Sequence, residues 1–387
     1  MLNIMKRKES KSMTLGEVTE LLNWIRTPTA LVFTPVNLLS EKAKFLDSES
    51  YNPNFKYRIV RNSNYRILDE LEAVTEITDV DPRISEFYLE LIKSKVEANE
   101  LMHAVGDNER FTDLSISRFK LPSYKLFKNA ARVLRGRVAG YNVIPNDKAD
   151  KGADLAYDQI EAAFMAVFSE YGLGQWLVAP SQNILSDGIK VGTKKKEVLM
   201  DPNIHRQANR LRKTIVHETT HIIRSYNGSM SGLDAFSKAN LSEYLDIEEG
   251  LTSYMENQMG LMSERDIKGM AAYAWAVYMG PEMTFRELYN SMLAFTTPNL
   301  AWKYTFRVKR GLGDTSKPGI YSRDAAYFRG FRKVRRLLKE DSSLFEKLFA
   351  GKISMKQIRW VEEGLLPKAK VIPSKEVFEK AFEKAGI

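Results

Sequence analysis

The stretch VHETTH at 216–221 sets His217 and His221 four residues apart, with Glu218 directly after the first histidine. At about 100° per residue, helix positions i and i+4 lie only about 40° apart, so both imidazoles leave one face toward a single point. Neutral imidazole nitrogens are ordinary zinc ligands, and Glu218 is offset enough to miss the ion and face a water bound to it. A helix that carries this pattern by accident is a poor account: the chain has 4 His in 387 residues, and two of them fall here.

The flanking sequence, PNIHRQANRLRKTIVHETTHIIRSYNG, reads as one helix from Pro202 that is closed by Asn227-Gly228 as a stop signal. Ala208, Leu211, Ile215 and Ile222 form an apolar stripe on it, widened by Val216 and Ile223. His217 and His221 point away from the centre of that stripe, so the helix has a core side and a chemistry side.

Cysteine is absent, which leaves histidine and carboxylate as the plausible zinc ligands and rules out a disulfide framework. A hydrophobic fraction of 44% with 28% charged residues is that of a globular protein. The basic start, MLNIMKRKESKSMTLGEV, lacks the apolar core of a signal peptide, and no uncharged apolar run reaches membrane-spanning length. A soluble, cytoplasmic protein is expected. The net charge of +9 would draw an acidic partner or substrate, although a solvated basic surface gives the same balance.

The expected fold is α+β and mostly helical: a single zinc-metallopeptidase domain with a small β-sheet beside the HExxH helix. Residues 1–50 read as an N-terminal extension, 51–370 as the catalytic domain and 371–387 as a C-terminal tail helix. Helical patterns cover ILDELEAVTEI, a long run from Pro82 to about Gly106, SYKLFKNAARVLRG, LSEYLDIEEGLTSYMENQMG, ERDIKGMAAYAWAVYMG and FRELYNSMLAF. Strand signals concentrate before the metal helix in WLVAP, NILSDGIKVG and KEVLMDP, short β-rich pieces broken by Pro and Gly. Peptidases of this kind often hold an extended substrate along such an edge.

Two histidines leave a catalytic zinc one protein ligand short if the fourth position is to hold water. His103 stands alone, and His205 lies about three turns from His217, too far to share the ion. Glu249 in DIEEGLTSY is the better candidate: a glutamate before Gly at the start of a helical pattern resembles the NEG and EEG motifs of peptidases with a His, His, Glu site. Glu248 is the runner-up, since neighbours on a helix point about 100° apart and one alone can face the ion. An acidic pair near a helix start can also simply answer the helix dipole.

Several segments together resemble the tubulin tyrosine carboxypeptidase family of zinc metallopeptidases, which includes microtubule-associated tyrosine carboxypeptidases. They are YNPNFKY at 51–57, VHETTHIIRSYNG, IEEGLTSY and FRVKRGLGDTSKPGIYSRDAAYFRG at 306–330, with weaker echoes in GDNERF at 106–111 and LFAGKIS at 348–354. The resemblance implies removal of a C-terminal tyrosine or other aromatic residue from a protein or peptide, with Zn2+ as cofactor, Glu249 as the third ligand and Glu218 as general base. The chain departs from the family at one point. Members usually carry an extra residue between the histidines, which would set them about 140° apart on a regular helix and require a bulge. The four-residue step here requires none.

A carboxypeptidase must also hold a terminal carboxylate, and arginine is best shaped to do so with paired hydrogen bonds. RVKRG supplies Arg307, Lys309 and Arg310, of which the arginines are the main candidates, while Tyr321 and Tyr327 could orient substrate or donate to the oxyanion. The residues alone read equally well as a solvated basic turn with core aromatics. Two other functions fit parts of the sequence. A zinc aminopeptidase or endopeptidase would use the same metal site. A basic protein that binds nucleic acid or acidic tails would use KLPSYKLFKNAARVLRGR and Lys194–Lys196, which match no nucleic-acid motif.

Overall fold

In the computed structural model, residues 10–25, 32–58, 65–182, 188–193, 195–238 and 241–387 are described. The fold is α+β and mostly helical, with 59% helix and small sheets, in keeping with the sequence expectation. The chain divides into two compact units: 1–120 with 279–323, and 121–278 with 324–387.

In the first unit, β1 (Lys11–Thr14), from the stretch read as an extension, pairs in parallel with β2 (Val74–Thr78). The sequence reading ran helix through these β2 residues. The helix instead stops at Glu72, because the β-branched run Val-Thr-Glu-Ile-Thr favours a strand once a partner is available. The long helix Pro82–His103 does start as expected, with Pro82 in the first turn and the Asp81 side chain accepting from the backbone of Arg83.

Three of the segments that carry the resemblance are knitted together in this unit. The Tyr57 hydroxyl accepts from the Gly311 amide at 2.8 Å and donates to the Leu312 carbonyl at 2.9 Å. The Asn108 side chain accepts from the Gly313 amide at 2.9 Å and donates to the Asp314 carbonyl at 2.8 Å. Gly311 has φ +91°, and a Cβ there would enter the Phe111 ring at 2.1 Å, so glycine is required on both counts.

The second unit carries the remaining strands. WLVAP, the described part of NILSDGIKVG and KEVLMDP yield β4 (Leu177–Pro180), β5 (Ile189–Gly192) and β6 (Glu197–Met200), one sheet in the order β4-β6-β5. The expected Asp187-Gly188 turn lies partly outside the described residues, as does Lys194. A further pair was not expected: β3 (Asp154–Ala156) runs antiparallel to β7 (His205–Gln207).

Because β7 occupies His205–Gln207, the HExxH helix begins at Ala208 and not at Pro202. It also continues past the expected stop, to Ser229. Asn227 and Gly228 are buried helical residues, and a Cβ on Gly228 would sit 1.8 Å from the Phe236 carbonyl oxygen. This glycine serves close packing, not chain reversal. Of the apolar stripe, Leu211, Ile215, Val216, Ile222 and Ile223 are each fully buried, while Ala208 at the helix start is only partly so.

The helix Tyr244–Gln258 crosses the helix Ala325–Glu340 at a pair of glycines. A Cβ on Gly250 would lie 2.5 Å from the Gly330 carbonyl oxygen, and one on Gly330 would lie 2.2 Å from that of Asp246. The glycines of IEEG and YFRG are therefore two halves of one contact. Asp246 and Arg329 close it with an ion pair at 2.8 Å. Among the described residues, no helix is long and apolar enough to cross a membrane.

Candidate metal centre

The helix Ala208–Ser229 carries a polar ladder at Lys213, His217, His221 and Arg224, steps of four, four and three that keep one face. The facing helix, Tyr244–Gln258, answers with Glu248, Glu249 and Glu256. Glu248 and Glu249 fall in its second turn, so a helix-start role in answering the dipole does not explain them.

Nδ1 of His217 lies 2.7 Å from Oε1 of Glu256, and Nδ1 of His221 lies 2.7 Å from Oε1 of Glu248. A carboxylate accepts, so each Nδ1 is the donor there and each Nε2 is the nitrogen left to face the other ring. Those two Nε2 atoms converge to 3.2 Å. Ligand atoms of His217, His221 and Glu249 all lie within 4.8 Å of one another. At that distance the two nitrogens cannot both present lone pairs without a cation, proton or metal, between them. Zinc–nitrogen bonds of about 2.05 Å at a tetrahedral angle would separate the nitrogens by about 3.3 Å, close to the spacing present. The residues fit zinc.

Glu249 is buried and Glu218 is partly exposed. Glu248 takes no place in the ligand cluster but orients His221, so the two adjacent glutamates divide into ligand candidate and support. Burial opposes its charge, but Lys352 and Arg224 outweigh that and hold its carboxyl well below the usual range. Burial likewise opposes a charge on His217. The bond to Glu256 and the negative charges of Glu256, Glu218 and Glu249 overcome it and raise the imidazole to about 9. Such a nest of acids favours any cation, proton or metal.

Sequence reasoning missed Glu256, Arg224 and Lys352. Glu256 had a signal, since it follows Glu249 by seven residues and so shares its face. Lys352 lay within the LFAGKIS segment, but nothing in the sequence ties it to Glu248, 104 residues away.

Tyr327 belongs to the same unit as the ligand cluster, on the helix Ala325–Glu340, half-buried with its ring 6.4 Å from that of Tyr273. Arg307, Lys309, Arg310 and Tyr321 belong to the first unit. Lys309 is fully buried, its ammonium donating to the carbonyls of Gly280, Met283 and Gly319, which makes it a structural pin. Arg310 is nearly buried with its guanidinium 5.0 Å from the ring centre of Tyr321, and Arg307 is half-buried. Tyr321 packs in a core with Phe33 and Phe111, stacked on Phe33 at 5.2 Å. His205, set aside as a ligand, pairs with Asp154 at 3.0 Å, and His103 stacks on Tyr65 at 5.3 Å.

A profile of the family described as microtubule-associated tyrosine carboxypeptidase matches residues 43–381. A human protein named putative tyrosine carboxypeptidase MATCAP2 is 31% identical over 144 residues, 36% of this chain and 27% of that protein. A rat protein named microtubule-associated tyrosine carboxypeptidase 1 is 23% identical over 265 residues, 66% of this chain and 56% of that protein. The mouse protein of the same name is 22% identical over 228 residues, 57% and 48% of the two lengths. The matched regions thus cover from about a quarter to just over half of these relatives.

Proposed function

The chain belongs to the microtubule-associated tyrosine carboxypeptidase family, and from that membership and the site geometry we propose that it is a zinc-dependent carboxypeptidase that removes a C-terminal tyrosine or other aromatic residue from a protein. The observation that carries the metal reading is the convergence of His217 Nε2, His221 Nε2 and the Glu249 carboxylate, with both Nδ1 atoms already held by carboxylates.

Zinc held by those three side chains would supply Lewis acidity to a water and to the scissile carbonyl. Glu256 and Glu248 hold the rings of the two histidines through Nδ1, which keeps each Nε2 turned toward the other. Glu218, one residue from His217 and partly open to solvent, takes a proton from the attacking water and returns it to the departing amine. The products are the shortened chain with a new carboxylate and the free amino acid. Of the four substrate-binding candidates, Tyr327 shares the unit of the ligand cluster and is proposed to orient the substrate. The net charge of +9 favours an acidic tail as the bearer of the scissile residue.

The test is a panel of peptides that differ in their last residue, incubated with zinc-loaded protein and with Glu218→Gln, and followed by mass spectrometry. Loss of a single C-terminal aromatic residue by the parent protein alone supports the reading. Cleavage inside the peptide or from its amino end would instead identify an endopeptidase or aminopeptidase.

A further inference from the structure

The segment LFAGKIS at 348–354 has no part in the chemistry proposed above, yet it lies against the metal helix where two glycines let backbones meet. A Cβ on Gly351 would sit 3.0 Å from the Cα of Gly228, and one on Gly228 would collide with the Phe236 carbonyl. The Lys352 amide donates to that same carbonyl at 2.7 Å, and the Asn227 side chain donates to the Phe349 carbonyl at 2.8 Å. Arg224, fully buried, donates through Nε to the Leu348 carbonyl at 3.2 Å and through Nη2 to the Ile353 carbonyl at 2.7 Å.

What remains of both cations is aimed at one carboxylate. Arg224 Nη1 donates to Oε2 of Glu248, and Lys352 Nζ donates to Oε1, the oxygen that also accepts from Nδ1 of His221. Lys352 and Glu248 are buried as well. Burying two cations with one anion costs desolvation that apolar packing would avoid, so the arrangement is a poor choice for stability alone. It does restrict Glu248 completely: each oxygen has a cationic donor, and neither can rotate away from His221. Glu256, which supports His217, is met less closely, by Lys213 at 3.8 Å.

We infer that Arg224 and Lys352 are positioning residues of the metal centre, fixing Glu248 so that it holds the His221 ring with Nε2 aimed at the ion. The inference rests on the reading of His217, His221 and Glu249 as a zinc site. The LFAGKIS loop is on this account a third layer of that site, delivered by the glycine contact with the metal helix.

Zinc affinity is measured on the full chain by competition with a chromophoric chelator, for the parent protein, Lys352→Met, Lys352→Arg and Arg329→Met. Arg329→Met removes the ion pair with Asp246 on the same helix as Glu248 and controls for a general loss of stability. Lys352→Met should weaken zinc binding by about ten-fold, the lower end of what supporting residues contribute, with partial recovery in Lys352→Arg. Arg329→Met should lower the melting temperature and leave the affinity unchanged. Equal affinity in Lys352→Met and the parent would overturn the inference and leave the zinc reading standing, whereas absence of stoichiometric zinc in the parent would end both. Should Lys352→Met fail to fold, histidine side-chain nitrogen spectra of the zinc-loaded parent decide the matter. A slowly exchanging Nδ1 proton on His221 is expected, and rapid solvent exchange at that position would show that Glu248 is not held.

Discussion

Nε2 of His217 lies 3.2 Å from Nε2 of His221, and the opposite nitrogen of each ring is tied to a buried glutamate at 2.7 Å. The two rings cannot relieve this approach by flipping without breaking those bonds. On the proposed reading this preorganises the site for a cation, whose charge the surrounding acids would favour.

Glu218→Gln keeps the shape of the side chain and removes its basicity. Turnover should fall by about 10²–10⁴-fold, the usual worth of a positioned base, with zinc content unchanged. Steady-state kinetics together with metal analysis check this, and a parallel loss of zinc would make Glu218 a ligand instead.

Glu248 and Glu249 are neighbours with different roles, so their glutamine variants should separate. Glu249→Gln loses a direct ligand candidate and should retain little zinc after dialysis. Glu248→Gln should bind zinc about 10–100-fold more weakly, as expected for loss of an orienting carboxylate. Equilibrium dialysis distinguishes them, and the opposite ranking would make Glu248 the ligand.

The crossing of the two helices at Gly250 and Gly330 leaves no room for a methyl group. Gly330→Ala should destabilise the protein by about 1–3 kcal/mol or more, because the obstruction is backbone that a rotamer change cannot clear. Denaturant unfolding measures it. Gly232→Ala, where no atom lies within 4 Å of the added carbon but φ is +70°, should cost about 1 kcal/mol through backbone strain.

Asp266 gives a pH signature away from the ligands themselves. Burial opposes its charge, but Lys213 at 2.6 Å and two hydrogen bonds from Ser263 prevail and hold its carboxyl below the ordinary value. A depressed carboxyl contributes stability above its unfolded pKa and loses it as pH falls through the folded one. Asp266→Asn should therefore cost about 1–2 kcal/mol at neutral pH, and the gap from the parent should narrow as pH falls below about 4. Urea unfolding across that range checks the sign.

The parts of this site visible in the sequence are those encoded by short-range periodicity. VHETTH and the stripe from Leu211 to Ile223 depend on neighbours within two turns, and Glu249 stood out beside Gly250. The start of the metal helix was misplaced because the pairing of His205–Gln207 with Asp154–Ala156 links residues about fifty apart in sequence. Gly228 looked like a stop, since a glycine needed for close packing and one needed for positive φ look alike in sequence. The role of Lys352, within the noted LFAGKIS segment, was hidden for a related reason, as it exists only once a distant loop is laid on the helix. Lys309 looked like a ligand for carboxylate, but its ammonium is already satisfied by three carbonyls.

The zinc site proposed here acts on the last residue of a chain with a free C-terminus. Its most direct test is a pair of peptides ending in tyrosine, one with a free α-carboxylate and one amidated, incubated with the zinc-loaded protein and resolved by mass spectrometry. Release of tyrosine from the free acid, little or none from the amide, and neither reaction with Glu218→Gln is the predicted result. Equal cleavage of both peptides, or cleavage elsewhere in the chain, would contradict it.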